Sequence, residues 1–144
     1  MKSLKVLLLL ILIGTNLFAQ DKMPSAERGI LNAANWNFNE GRLPLNGQWR
    51  FYKNELINIS DSTAGSGTTS TFPEVWDATV QYATYQLQVV MPSEPGKYAL
   101  EIPQLYCSYI IWVNGKQVAE NGKIGKTKDT TTPQWLPQAV LLEN

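Results

Sequence analysis

A chain with five tryptophans, six tyrosines, one cysteine and no histidine is equipped for recognition by aromatic faces rather than for bond-making. An exposed indole offers an apolar plane, and a neighbouring amide can orient whatever polar groups lie on it. Trp135 is the first candidate, because GKIGKTKDTTTPQWLPQ is a polar loop rich in hydroxyls, and loops carry binding more often than strands do. Trp112 is the second, standing just before Asn114-Gly115, with amide groups from Asn114 and Gln117 close in sequence. Trp76, in PEVWDATV, is the third. A packing role stands beside each of these: Trp76 as a plug against a sheet, Trp112 as a cover on a sheet's outer side. Trp49, Phe51 and Tyr85 read as core.

Covalent chemistry finds little to work with. Without histidine there is no Ser/His/Asp triad and no histidine-activated thiol. Cys107, in QLYCSYIIW, has no disulfide partner and reads as a buried small hydrophobe. A protein zinc site is not expected on the same residue counts. Glycoside cleavage needs two acids ~5–9.5 Å apart across a cleft; the acids here are dispersed, and Glu74 and Asp77, which flank Trp76, form a common surface arrangement. GSG at Gly65–Gly67 lacks the strand-to-helix context of a phosphate loop. The sequence therefore predicts no enzyme, no cofactor and no metal.

Residues 1–19, MKSLKVLLLLILIGTNLFA, read as a signal peptide. Lys2 and Lys5 form its positive start, and the apolar run Val6–Ile13 is too short for a bilayer of ~30 Å. Removing the leader leaves ten basic against twelve acidic residues, a formal charge of −2. Lys116, Lys123, Lys126 and Lys128 read as a small solvated cluster, so no nucleic-acid partner is expected. An exported protein, periplasmic or extracellular, is the expectation.

The elements that would position these residues are strands. After a polar, irregular N-terminal extension (20–40), the domain proper (41–144) opens with GRLPLNGQWRFYKNEL, strand-like and carrying a turn or bulge at Asn46-Gly47. The stretch Ser60–Thr71 reads as a surface loop, with an Asn-Ile-Ser sequon at Asn58 beside it. Ala83, Tyr85, Leu87, Val89 and Met91 alternate with polar residues, the period of a half-buried strand. Tyr98, Leu100 and Ile102 repeat the pattern beyond Pro92–Lys97, which predicts an antiparallel hairpin between the two runs. A third strand, Leu105–Val113, meets Asn114-Gly115, a type I′ turn that sets Val113 opposite Lys116, Trp112 opposite Gln117, Ile111 opposite Val118 and Ile110 opposite Ala119. The last residues, AVLLEN, begin another strand. Short strands between turn signals predict an all-β sandwich.

The order LPLNGQWRFY, PEVWDATV, YATYQLQVVMP, YALEIP, YIIWVNGKQVAENGKIG resembles the extracytoplasmic jelly-roll sensor domain of bacterial seven-transmembrane receptors with diverse intracellular signalling modules, from about Gly29 to Pro137. The sugar-binding domain of family 2 glycoside hydrolases is similar in the same landmarks, and both are galactose-binding-like sandwiches. The resemblance implies a jelly-roll β-sandwich with further strands beyond Leu142, hence a C-terminally incomplete domain. It implies a small carbohydrate-like ligand, and a membrane receptor bundle as partner in the parent architecture. An accessory sugar-binding domain of a secreted glycosidase, or a structural sandwich with no small ligand, remain the other readings.

Overall fold

The computed structural model describes residues 23–57 and 67–142. The leader, the Asn58 sequon and residues 60–66 lie outside the described residues. Among the described residues nine strands follow in order: β1 (Ile30–Asn32), β2 (Gly47–Lys53), β3 (Thr68–Phe72), β4 (Ala83–Gln86), β5 (Gln88–Val90), β6 (Tyr98–Ile102), β7 (Tyr109–Val113), β8 (Lys116–Asn121) and β9 (Gln138–Leu142). Among the described residues the helical structure is one 3-10 turn, Lys128–Thr130. The protein is almost entirely β, in several sheets: β3-β2-β4, β1-β5, β6-β9 and β7-β8. No helix among the described residues is long and apolar enough to cross a membrane.

β4 and β5 are one alternating run interrupted at Leu87. β2 pairs antiparallel with β4 as far as Arg50 opposite Gln86. There Gly29 wedges in: its N–H donates to the Gln48 carbonyl and its carbonyl accepts from the Gln88 N–H, both at 2.8 Å. β1 then runs parallel to β5, from Ile30 opposite Gln88 to Asn32 opposite Val90. The segment read as polar and irregular is thus part of the interior. Leu31 and Ala33 are 0 % exposed, and Ala26 is buried with them. Its signal is faint because two alanines and a leucine make too short a pattern to register as periodic.

Two other expectations about pairing change. Thr68–Thr71, read as loop, belongs to β3 and pairs with β2 from Gly47–Phe72 to Phe51–Thr68; β-branched threonine suits such a pleated edge position. The two alternating runs do not form a hairpin. β6 pairs antiparallel with β9, Tyr98 opposite Leu142 and Ile102 opposite Gln138, and Pro92–Lys97 carries the chain between sheets. Alternation shows that a strand has one buried face; it does not name the partner.

The β7–β8 hairpin turns at Asn114 (φ 50°) and Gly115 (φ 79°), the pair of positive φ values a type I′ turn requires. Val113 faces Lys116 and Trp112 faces Gln117 as the turn dictates, but the register then slips by one. Ile111 faces Ala119, Ile110 faces Glu120 and Tyr109 faces Asn121. Val118 is the extra residue of a bulge, so Ala119, expected on the Trp112 face, turns inward and is buried. A bulge adds one residue to one strand and re-aims all those beyond it. The Gln138 amide of β9 crosses to this hairpin, donating to the Glu120 carbonyl at 2.8 Å and to the Tyr109 hydroxyl at 3.2 Å.

Candidate functional site

Strands β2, β3 and β4 bring Trp49, Phe51, Phe72 and Tyr85 together. Around the Tyr85 ring lie Phe51 at 4.9 Å, Phe72 at 5.1 Å and Trp49 at 6.3 Å, centroid to centroid. Trp49 itself is pinned by donating from Nε1 to the Leu45 carbonyl at 2.9 Å. Trp49, Phe51 and Tyr85, read from the sequence as core, do pack together, joined by Phe72; Phe51 is buried and the other three are half-buried. The Tyr85 hydroxyl, however, reaches out of this cluster to the segment after β3.

There Trp76 lies over Tyr85, planes 20° apart and centroids 6.2 Å, and its Nε1 donates to the Tyr85 hydroxyl at 2.8 Å. Tyr85 in turn donates to Glu74 Oε1 at 2.9 Å, and Ser70 of β3 donates to the same oxygen. Glu74 Oε2 takes no bond among the described residues. The indole is 38 % exposed although its position is held by both a stack and a hydrogen bond. An open ring face beside an available carboxylate oxygen is the result.

The segment that follows is clamped to the end of β2. Asp77 Oδ1 accepts from the Thr79 N–H at 2.7 Å and from its hydroxyl; Lys53 Nζ donates to that hydroxyl at 2.5 Å. Asn54 holds the Thr79 carbonyl at 3.1 Å and the Gln81 N–H at 2.9 Å. Hydrogen bonds from the Thr79 side chain, then its backbone, with Lys53 adding, keep the Asp77 carboxyl below its ordinary range. Burial, reinforced by Glu74 and opposed by the Trp76 bond, raises Tyr85 from 10.0 to about 12. Tyr85 is therefore a neutral donor at any physiological pH, which suits a hydroxyl that bridges Trp76 and Glu74.

The other candidates fall into two places. Trp112 and Gln117 are cross-strand partners beside the turn; Trp112 is 37 % exposed, and Gln117 Nε2 spends a bond on Glu120 at 2.9 Å. Asn114 occupies the turn with its φ of 50°. Trp135 stands elsewhere, near the opposite end of the hairpin, roughly 10 Å along β7 from Trp112 at ~3.3 Å per residue. It is 59 % exposed, with Leu136 similarly open. The amide beside it is engaged by the protein: Gln134 Oε1 accepts from the Gly122 N–H at 3.3 Å.

One buried side chain builds that end. Asn121, 2 % exposed, donates from Nδ2 to the Gln134 carbonyl at 2.7 Å and the Cys107 carbonyl at 3.4 Å. A single nitrogen thereby draws two loops together, one bearing Trp135 and the other Tyr106. Gly122 (φ 68°) passes so close to the Thr132 carbonyl that a Cβ would collide with it. Cys107, expected buried, is solvent-accessible, yet enough protein surrounds its sulfur that desolvation raises the thiol pKa.

Sequence reasoning named Trp76 as a candidate but did not anticipate the Glu74–Tyr85–Ser70 hydrogen bonds around it; the only local hint is Glu74 two positions ahead. It also passed over Tyr106, the most exposed tyrosine. No group of three or more His, Cys, Asp or Glu side chains placed to hold a metal occurs among the described residues. Comparison with protein-family models, with curated proteins and with solved structures returns no match in any of the three.

Proposed function

We propose that this chain is a non-catalytic, exported ligand-binding module, a jelly-roll sandwich of the galactose-binding-like type. Its ligand is a small carbohydrate-like solute, and it forms the N-terminal sensory part of a membrane signal-transduction receptor. The carrying observation is Trp76: an indole 38 % exposed, fixed in place by Tyr85, next to a carboxylate whose two bonds both fall on one oxygen. A sugar presents C–H faces that stack on such a ring and hydroxyls that donate to such an oxygen. Trp76 is preferred over Trp135 because polar orienting groups accompany it. The sensory assignment rests on the resemblance in motif order described above.

Intrinsic fluorescence titration against a glycan panel tests the binding reading. A ligand should be found whose affinity falls about tenfold in Trp76→Ala and in Glu74→Ala, with Trp135→Ala unchanged. A panel without any ligand would leave the structural sandwich standing; a ligand lost with Trp135→Ala alone would move the site.

A further inference from the structure

The loops clipped together by Asn121 expose three large apolar side chains on one end of the molecule: Tyr106 at 80 %, Trp135 and Leu136. Such side chains are normally covered or scattered. Here they are held out by structure. Pro133 and Pro137 bracket the Trp135 loop, Asn121 and Gly122 hold Gln134, and Lys123 and Thr132 bond each other's backbones at 2.8 and 2.9 Å. The loop closed by that last pair carries Lys123, Lys126 and Lys128, all exposed.

Charge is segregated along this stretch of the chain. The whole chain is formally neutral, yet residues 122–137 hold three lysines against one acid, Asp129. No ion pair among the described residues neutralises them; the one found, Arg42 with Glu101, is elsewhere. We infer that this end is a membrane-docking surface. Tyr106, Trp135 and Leu136 enter the headgroup region of a bilayer while Lys123, Lys126 and Lys128 meet anionic phosphates. Amphipathic aromatic rings favour that depth, and each nearby lysine adds electrostatic attraction to an anionic surface. A neutral protein partner would gain nothing from the lysines, and a sugar would want polar groups where Leu136 stands.

The test is amide hydrogen exchange on the full chain, because an apolar leader could itself enter lipid and a bulk binding assay would not separate the two. Vesicles of phosphatidylcholine with about one phosphatidylglycerol in four should protect peptides covering Tyr106–Cys107 and Gln134–Leu136. Pure phosphatidylcholine vesicles should protect them much less. The double variant Lys126→Gln/Lys128→Gln, on the surface and unable to disturb the interior, should need roughly tenfold more anionic lipid for the same protection. Trp135→Ala/Leu136→Ala should abolish it. Protection that is equal on both vesicle types, or unchanged in the lysine variant, overturns the inference; so does protection arising from protein concentration alone, which would identify a second copy as the occupant. Glycan binding at Trp76 is expected to survive all four substitutions, so the two proposals fail separately.

Discussion

Replacing Tyr85 with phenylalanine keeps the ring that Phe51, Phe72 and Trp49 pack against and deletes only the hydroxyl between Trp76 and Glu74. Water can take over at exposed Glu74, and the Trp76 Nε1 loses a neutral bond, so a cost of about 1 kcal/mol is expected. That corresponds to about 2–6 °C in melting temperature for a chain of this size. The same hydroxyl gives the wild type a distinctive alkaline limb. Its pKa rises from 10.0 unfolded to about 12 folded, so the folded state holds its proton more tightly. The stabilisation is complete below pH 10 and is lost as pH climbs through 10 to 12. The full rise would equal ~2.7 kcal/mol, and partial solvent access reduces this to about 1 kcal/mol. Urea denaturation at several pH values, wild type against Tyr85→Phe, reads the difference directly. The stability gap should shrink from about 1 kcal/mol to near zero across that window, and phenolate absorbance should show one fewer late-titrating tyrosine in Tyr85→Phe than in the wild type, Tyr109 being raised in both. A gap that is absent at pH 8, or constant to pH 12, would refute the bridge.

Leu31→Ala should cost about 2–5 kcal/mol by equilibrium denaturation, because Leu31 is fully buried; a cost under about 1 kcal/mol would make the N-terminal segment an appendage. Asn121→Ala should cost about 1–3 kcal/mol and increase acrylamide quenching of Trp135, since the bonds to Cys107 and Gln134 are lost; unchanged quenching would show the loops hold themselves. Cys107 has a raised thiol pKa, so near pH 8 its alkylation should be slower in the folded chain than in urea, and the folded-chain rate should climb further into the alkaline range than that of a free thiol. Equal rates in both states would contradict the desolvation.

What the sequence determined by itself was local. The period-2 runs at 83–91 and 98–102 became strands because alternation needs no knowledge of a partner. Asn114-Gly115 became the expected turn because two adjacent residues carry the positive φ values, and the first two cross-strand pairs followed from it. The aromatic cluster of Trp49, Phe51 and Tyr85 was legible for the same reason: large rings on one face of neighbouring strands pack on each other wherever the sheet goes. The exposure of Trp135 could be anticipated from its prolines and polar neighbours.

Only the tertiary structure decided who meets whom. β6 found β9 rather than the preceding strand, and Gly29 parted β2 from β5, because hydrogen-bond partners are chosen across the whole fold and leave no mark on either segment alone. One added residue at Val118 reversed the facing of Ala119, an effect that pattern reading cannot see because both registers alternate equally well. Glu74, Trp76 and Tyr85 form a hydrogen-bonded cluster through bonds spanning nine and eleven residues, and Asn121 joins loops fourteen and thirteen residues away. Side-chain hydrogen bonds of that reach depend on where the strands stop. Residue type therefore foretold the strongly alternating strands but not β1 or β3, and the assembled sheets alone determined which aromatic faces remain open, and beside which charges.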